Sequence, residues 1–276
     1  MSNQKRSDFL AEEVKKHDYD RWLTTLFASA RSRPAIYALL AFNVEISRVR
    51  ETVSEVLLGD IRLQWWRDAV TGLQSGKTLE HPVVSALGEI IPHHSIDPDI
   101  LLQIIDARAR DLDPCPFKTT SDLLEYADGT GGLLNSLIFA AQELTSSEGE
   151  LAARKAGAAY ALCGIIRAIP YHTTQDLLLI PHDVLGGRGL DPVTVFVSEN
   201  REAFHLAVKD MSLLAEKEQQ MARDLIKARP STEKSAYKIS ALTSLYLSRL
   251  RSGNYDPAFS NINVGVLRKI SALMLS

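Results

Sequence analysis

From Asp8 to Met274 the apolar residues recur at spacings of three and four, and no run alternates strictly enough to mark a strand. No dipeptide carries a hairpin turn signal. That pattern confines the chain to helices packed on helices. The helix starts are well marked. Asp97-Pro98 and Asp191-Pro192 each offer an N-cap carboxylate, then a proline in the first helical turn, where its missing N–H costs nothing. Arg33-Pro34 opens another helix. Pro230-Ser231-Thr232-Glu233 is expected to end one long helix and cap the next. The spacing predicts helices over 8–29, 34–52, 55–74, 82–91, 98–111, 120–127, 130–144, 148–169, 192–196, 201–228, 232–252 and 263–274. Between Pro170 and Leu190 the glycines and prolines predict a loop, with "LLLIP" as a short extended piece.

With 276 residues, 45% of them hydrophobic, the chain can bury one large core. No linker or repeat divides it, so a single domain over 1–276 is expected, with the first six residues mobile. A net charge of −3 without a concentrated basic face excludes a nucleic-acid partner. Cys115 and Cys163 lack a short pairing spacing and read as reduced thiols. The N-terminal residues have no apolar segment of the secretory kind and carry acids early, which argues against a mitochondrial presequence. The longest uncharged apolar run, Gly129 to Gln142, is too short to span a bilayer. A bacterial cytoplasmic protein, at most peripheral on the inner face of the membrane, is the expectation.

One helix departs from the simple pattern. In "AFNVEISRVRE", Ala41 to Glu51, an apolar helix acquires Glu45, Arg48, Arg50 and Glu51. At about 100° per residue, Ala38, Leu39, Phe42, Ile46, Val49 and Val53 share one face, and Tyr37, Leu40, Ala41 and Val44 the roughly opposite one. A helix apolar on two sides packs between neighbours, and its charges lie in the seams. Arg48 and Glu45 are placed to pair, and Ser47 and Glu51 share a face. The next helix carries Arg62, Trp65, Trp66, Arg67 and Asp68. The two tryptophans read as a core anchor with a wet edge. Their flanking arginines either pair with acids or hold a phosphate or carboxylate.

Together these residues resemble the squalene/phytoene synthase family, whose members share the all-α isoprenoid synthase fold. The family pattern reads roughly "ALYAFCREVDDIVDE" and is followed by a helix with "WR" near its middle. Here Ala35 to Glu51 reads "AIYALLAFNVEISRVRE", followed by "RLQWWRDAV". A later family pattern, "NILRDVGED…YLPQDEL", falls on "GIIRAIPYHTTQDLLLIPHDVL", Gly164 to Leu185. "YADGTGGLLNS", Tyr126 to Ser136, is similar to a family segment at the cavity wall, and "LTSLYLSRLRSGNYDPAF" to its last conserved helix. The resemblance implies a single-domain helical bundle around a central cavity.

It also implies two aspartate-rich motifs on facing helices, whose carboxylates hold Mg²⁺ against the substrate's diphosphate. This chain departs from both. The first motif's aspartates fall on Ser47, Arg48 and Glu51, so Glu51 is the one residual carboxylate. The second motif's acidic positions fall on Ala168, Tyr171 and His172, while Arg167 matches. Pro170 enters where the family helix continues and is expected to end it. No metal site and no cofactor are therefore expected. The departures are similar to those of a branch that includes a mitochondrial assembly factor of respiratory complex I. That resemblance implies a non-catalytic role beside a complex I subunit or assembly partner, with a prenyl lipid or diphosphate as a possible ligand and a peripheral membrane contact.

Two further readings follow. In one, the protein is an active prenyl-diphosphate transferase that uses Mg²⁺ through recruited acids: Glu45, Glu51, Asp60 and Asp176. In the other, Arg48, Arg50, Arg62, Arg67 and Arg167, with Tyr171 and His172, form a metal-free anion pocket. The glycine-rich "GGRG" at Gly186 to Gly189 lacks the strand and helix of a phosphate loop, and the histidines lack a metal-ligand spacing.

Overall fold

The computed structural model describes residues 3–77, 79–174, 177–258, 262 and 264–276. Among them there is no strand, so the all-α expectation holds. Among the same residues fourteen α-helices follow one another: α1 Asn3–His17, α2 Tyr19–Thr25, α3 Arg33–Ser47, α4 Val49–Thr52, α5 Val56–Gln74, α6 Pro82–Ile90 and α7 Pro98–Arg108; then α8 Thr120–Ala127, α9 Leu133–Ala140, α10 Ser147–Thr173, α11 His182–Gly186, α12 Arg201–Lys227, α13 Ile239–Ser252 and α14 Val266–Met274. None of the described helices is long and apolar enough to cross a membrane.

Two apolar clusters make up most of the core. One gathers α1, α3, α5, α6, α7 and α9. The other gathers α8, α10, α12, α13 and the segment from Leu178 to Val195. α3 is central, as its two apolar faces require: Leu39, Leu40 and Phe42 are all fully buried. Trp66 meets Phe42 edge-on at 5.6 Å, while Trp65 keeps 38% of its surface exposed. The tryptophan pair is thus a core anchor with a wet edge.

α10 is the other central element and packs on α9, α12 and α13. It can approach the chain N-terminal to α9 because two glycines meet there. A Cβ on Gly157 would lie 2.1 Å from the Gly131 carbonyl oxygen, and one on Gly131 would lie 2.5 Å from that of Gly157. Gly131 sits in a π-turn, Asp128–Gly132, that joins α8 to α9. The wider turn brings Thr130 to the cavity wall next to Tyr126.

Where the helices differ from expectation, side chains decide. The predicted 8–29 helix breaks at Asp18, whose carboxylate accepts from Arg21 N–H at 3.3 Å and starts α2. Asn3 to Arg6, expected to be mobile, form the first turn of α1, and Arg6 bonds to Glu89. The predicted 34–52 helix breaks at Arg48 (φ −96°, ψ 1°). Asp191 accepts from Val193 N–H at 2.8 Å, but a turn follows rather than the predicted 192–196 helix. After Pro230 the chain winds as a 3₁₀ helix, Ser231–Tyr237, without a side-chain cap.

Pro170 does not end α10, which continues to Thr173. Proline removes only its own N–H from the ladder, and here it sits one turn from the end. In that last turn Thr173 Oγ1 donates to the Ile169 carbonyl at 2.8 Å, a local bond of the kind that bends a helix. The predicted extended piece runs beside residues 114–118: Leu178 N–H donates to Pro114 O at 3.0 Å and His182 N–H to Phe117 O at 3.2 Å.

Candidate functional site

A cavity of about 240 Å³ opens between α2, α4, the end of α7, α8 and α10. Ser47, Arg50 and Glu51 reach it from the α3–α4 junction. The break at Arg48 separates Ser47 from the short helix carrying the other two, and all three still face one space. α2 contributes Arg21, and α10 contributes Tyr160, Gly164, Ala168, Tyr171 and His172. Leu177 and Leu179, from the extended piece, complete an apolar side with Ala161 and Ile165.

The lining also includes a hydrogen-bonded triad that sequence reasoning missed. Arg108 Nη1 donates to Tyr126 Oη at 2.7 Å and approaches Asp111 Oδ2 at 3.3 Å. Tyr126 Oη donates to Asp111 Oδ1 at 2.5 Å. Burial opposes the Arg108 charge, but Tyr126 and Asp111 outweigh it and hold the guanidinium protonated. Burial pushes the Tyr126 phenol well above its usual range. The available signal was the three-residue spacing of Arg108 and Asp111 just before "YADGTGG".

The remaining wall charges are partly balanced. Arg21 pairs with Asp18 at 2.8 Å and stacks over the Tyr160 ring at 4.7 Å. Glu51 lies 3.7 Å from Arg48. Arg50 has no hydrogen bond or ion pair among the described residues. His172 is held neutral, because burial lowers its pKa to about 4, and its Nδ1 is buried without a partner among the described residues.

Of the residues singled out from sequence, Arg50, Glu51, Tyr171 and His172 therefore share the cavity. Four arginines do not line it. Arg48 turns to Glu51 and to His17, 3.4 Å away, rather than to Glu45. Arg62 donates to Thr52 Oγ1 at 3.0 Å. Arg67 reaches across to Asp106 at 2.7 Å, and Asp68 accepts from Gln64 instead. Arg167 points into a separate buried cluster around Asp20.

The Asp20 carboxylate at the centre of that cluster is saturated, while Arg167 Nε is buried without a hydrogen-bond partner among the described residues. Asp20 accepts from Lys269 Nζ at 2.6 Å, Tyr246 Oη at 2.5 Å and Tyr160 Oη at 3.1 Å, with Arg167 at 3.5 Å. Arg167 also lies 3.6 Å over the Tyr246 ring. Burial would raise the Asp20 pKa, but Lys269, Tyr246 and Arg167 outweigh it and keep the carboxylate ionised. Nearby Cys163 is a free thiol whose burial pushes its pKa up to about 12, and Cys115 is also unpaired.

Of the acids considered for recruitment, Glu45 faces His81 and Asp60 sits on the exposed side of α5. Asp176 lies outside the described residues. Among those residues no group of three histidine, cysteine or acidic side chains is placed to hold a metal ion.

A model of the squalene/phytoene synthase family matches residues 14–269. The chain belongs to that family. Assembly factor 6 of NADH dehydrogenase (ubiquinone) complex I from Bos taurus is 26% identical to this family member over 248 residues, 90% of this chain and 74% of its own. A crystal structure of a dehydrosqualene synthase in complex with a ligand superposes with a TM-score of 0.83 at 16% identity, covering 99% of this chain and 95% of that one. Squalene synthase HpnC from Alicyclobacillus acidocaldarius gives 0.79 at 15% identity, with 92% and 96% covered. At such identities the two likenesses establish the fold of this squalene/phytoene synthase family member and nothing finer.

Proposed function

We propose that the protein is a non-catalytic member of the squalene/phytoene synthase family that assists the assembly of respiratory complex I from the cytoplasmic face of the membrane. The observation that carries the reading is the donor set of the cavity. Mg²⁺ asks for near-octahedral oxygen ligands, several of them charged when a diphosphate is to be neutralised. Among the described residues, the carboxylates on this wall are Glu51, close to Arg48, and Asp111, clamped by Arg108 and Tyr126. Arg21, Arg50 and Arg108 stand on the same wall and repel a cation. This donor set does not fit Mg²⁺, and no reaction step is derived through one. The relative named as a complex I assembly factor, which aligns over most of its own length, supports the partner.

Deleting the gene in its source organism should lower membrane NADH:ubiquinone oxidoreductase activity and leave subassemblies of the complex. The purified protein should release no diphosphate from farnesyl or geranylgeranyl diphosphate, with or without Mg²⁺ or Mn²⁺. Metal-dependent release would overturn the non-catalytic reading and support a prenyl-diphosphate transferase. Unchanged oxidoreductase activity in the deletion strain would overturn the assembly role.

A further inference from the structure

The charges around the cavity balance in a way that selects its ligand. Arg21 is matched by Asp18, Arg108 by Asp111, and Glu51 by Arg48. His172 adds a hydrogen-bonding ring and no charge. Among the described residues that leaves Arg50, with no counter-ion of its own, as the one uncompensated charge on the wall. Two buried nitrogens, Arg108 Nε and His172 Nδ1, have no hydrogen-bond partner among the described residues, and both side chains line the same space. The rest of the lining includes an apolar stretch: Ala161, Gly164, Ile165 and Ala168 on the α10 face that also carries His172, with Leu177 and Leu179. A Cβ on Gly164 would touch nothing within 4 Å, so the space beside it is open.

From this we infer that the cavity binds, without a divalent metal, an amphipathic molecule with a single negative charge, its head on Arg50 and its apolar chain along Gly164 and Ala168. The inference rests on the reading above that the cavity is not a metal–diphosphate site, and it names the ligand class. One guanidinium neutralises one carboxylate or one phosphodiester through paired N–H donors. A diphosphate brings two or three charges. With a single uncompensated cation to meet it, the excess charge would have no counter-ion among the described wall residues, so the second charge gains nothing from the site. A carboxylate amphipath and a phosphodiester lipid share the chemistry that Arg50 recognises.

Calorimetric titration of the full chain in the absence of divalent metal tests this with four monomeric probes: decanoate, dihexanoyl phosphatidylglycerol, decanol and farnesyl diphosphate. At least one monoanion should bind one to one, about tenfold or more tighter than decanol, the size of a charge-assisted hydrogen bond. Decanoate alone would point to a free carboxylate, and the phosphatidylglycerol alone to a lipid headgroup. Arg50→Gln should bring monoanion binding down to the decanol level, and Arg50→Lys should keep part of it. Arg50 is partly exposed on a four-residue helix, so both variants are expected to fold. Gly164→Leu should weaken decanoate and decanol together by filling the apolar side. Equal binding of decanol and decanoate, or monoanion binding unchanged in Arg50→Gln, overturns this inference and leaves the assembly reading standing. Farnesyl diphosphate bound more tightly than either monoanion only when Mg²⁺ is added overturns it too, and metal-dependent turnover of that probe overturns both.

Discussion

α10 contributes to two groups of polar and charged side chains that end differently, one buried and one on an open cavity. On one, Arg167 and Lys269 meet Asp20, and two tyrosine hydroxyls complete the carboxylate's hydrogen bonds. On the other, Arg50 stands without a counter-ion among the described residues on a cavity that Arg108 and His172 also line. Both groups contain arginine, tyrosine and carboxylate. The difference lies in the charges: the Asp20 carboxylate has its acceptor sites filled and its cations paired, with Arg167 Nε alone unpartnered, whereas Arg50 has no counter-ion among the described residues. A buried carboxylate with its hydrogen bonds complete holds structure together, whereas a cation without a counter-ion beside open space has capacity for a ligand. Tyr160 belongs to both, since it lines the cavity and donates to Asp20 at 3.1 Å.

The strongest way to break the comparison is to unbalance the Asp20 group. Asp20→Asn leaves Lys269 and Arg167 buried without their counter-charge. Removing one partner of a buried pair costs about 3–5 kcal/mol. The variant should lose that much in urea-unfolding stability, and α14, which carries Lys269, should become the first site of proteolysis. A loss under about 1 kcal/mol would mean that the cluster is solvated and that charge pairing is not what separates the two groups.

His172 gives the opposite perturbation, at the cavity group. Its pKa falls from 6.5 to about 4 on folding, so between those values the unfolded chain binds the extra proton. Stability from this group is present above pH 6.5 and is lost as pH falls toward 4. The loss reaches up to about 3 kcal/mol, from about 1.4 kcal/mol per pH unit. Carboxylates titrate over the lower part of that window in any variant. The comparison that isolates the histidine is the stability of wild type minus His172→Asn as a function of pH. A flat difference between pH 6.5 and 4 would show that the ring is exposed to water in the folded state.

How much of this was legible in the sequence follows from where each partner lies. The helices were legible because their apolar spacing is local, and Asp97 does cap α7, accepting from Asp99 N–H at 2.9 Å. Their breaks at Asp18 and Arg48 and the π-turn at Asp128–Gly132 were not, because single side chains and a glycine contact set them. Arg50, Glu51, Tyr171 and His172 were placed at the site by the resemblance, and the fold brings them together. Arg67 and Arg167 were misplaced because their partners, Asp106 and Asp20, lie 39 and 147 residues away along the chain. Periodicity says which face a residue shares, but not which distant acid will meet it.

Tyr160→Phe tests the residue common to both groups. It removes one of the donors to Asp20 and keeps the ring under Arg21. The carboxylate retains Lys269 and Tyr246, so the loss should be about 1 kcal/mol, the net worth of one hydrogen bond. A loss above about 3 kcal/mol, measured by the same unfolding titration, would mean that the two groups form one cooperative network and that the distinction drawn between them is wrong.

The smallest effect is expected to have the opposite sign. Gly164 sits in the interior of α10, on the cavity wall, and an alanine Cβ there would have no neighbouring atom within 4 Å. Glycine costs a helix roughly 0.5–1 kcal/mol relative to alanine, since the unfolded chain loses more freedom on folding. In a packed wall a substitution would meet its neighbours and cancel that gain, as at Gly157, where a Cβ would lie 2.1 Å from a carbonyl oxygen. Gly164→Ala should therefore raise the unfolding free energy by roughly 0.5–1 kcal/mol. Destabilisation instead would mean that the wall closes in solution and that the cavity lacks the open space which separates it from the Asp20 cluster.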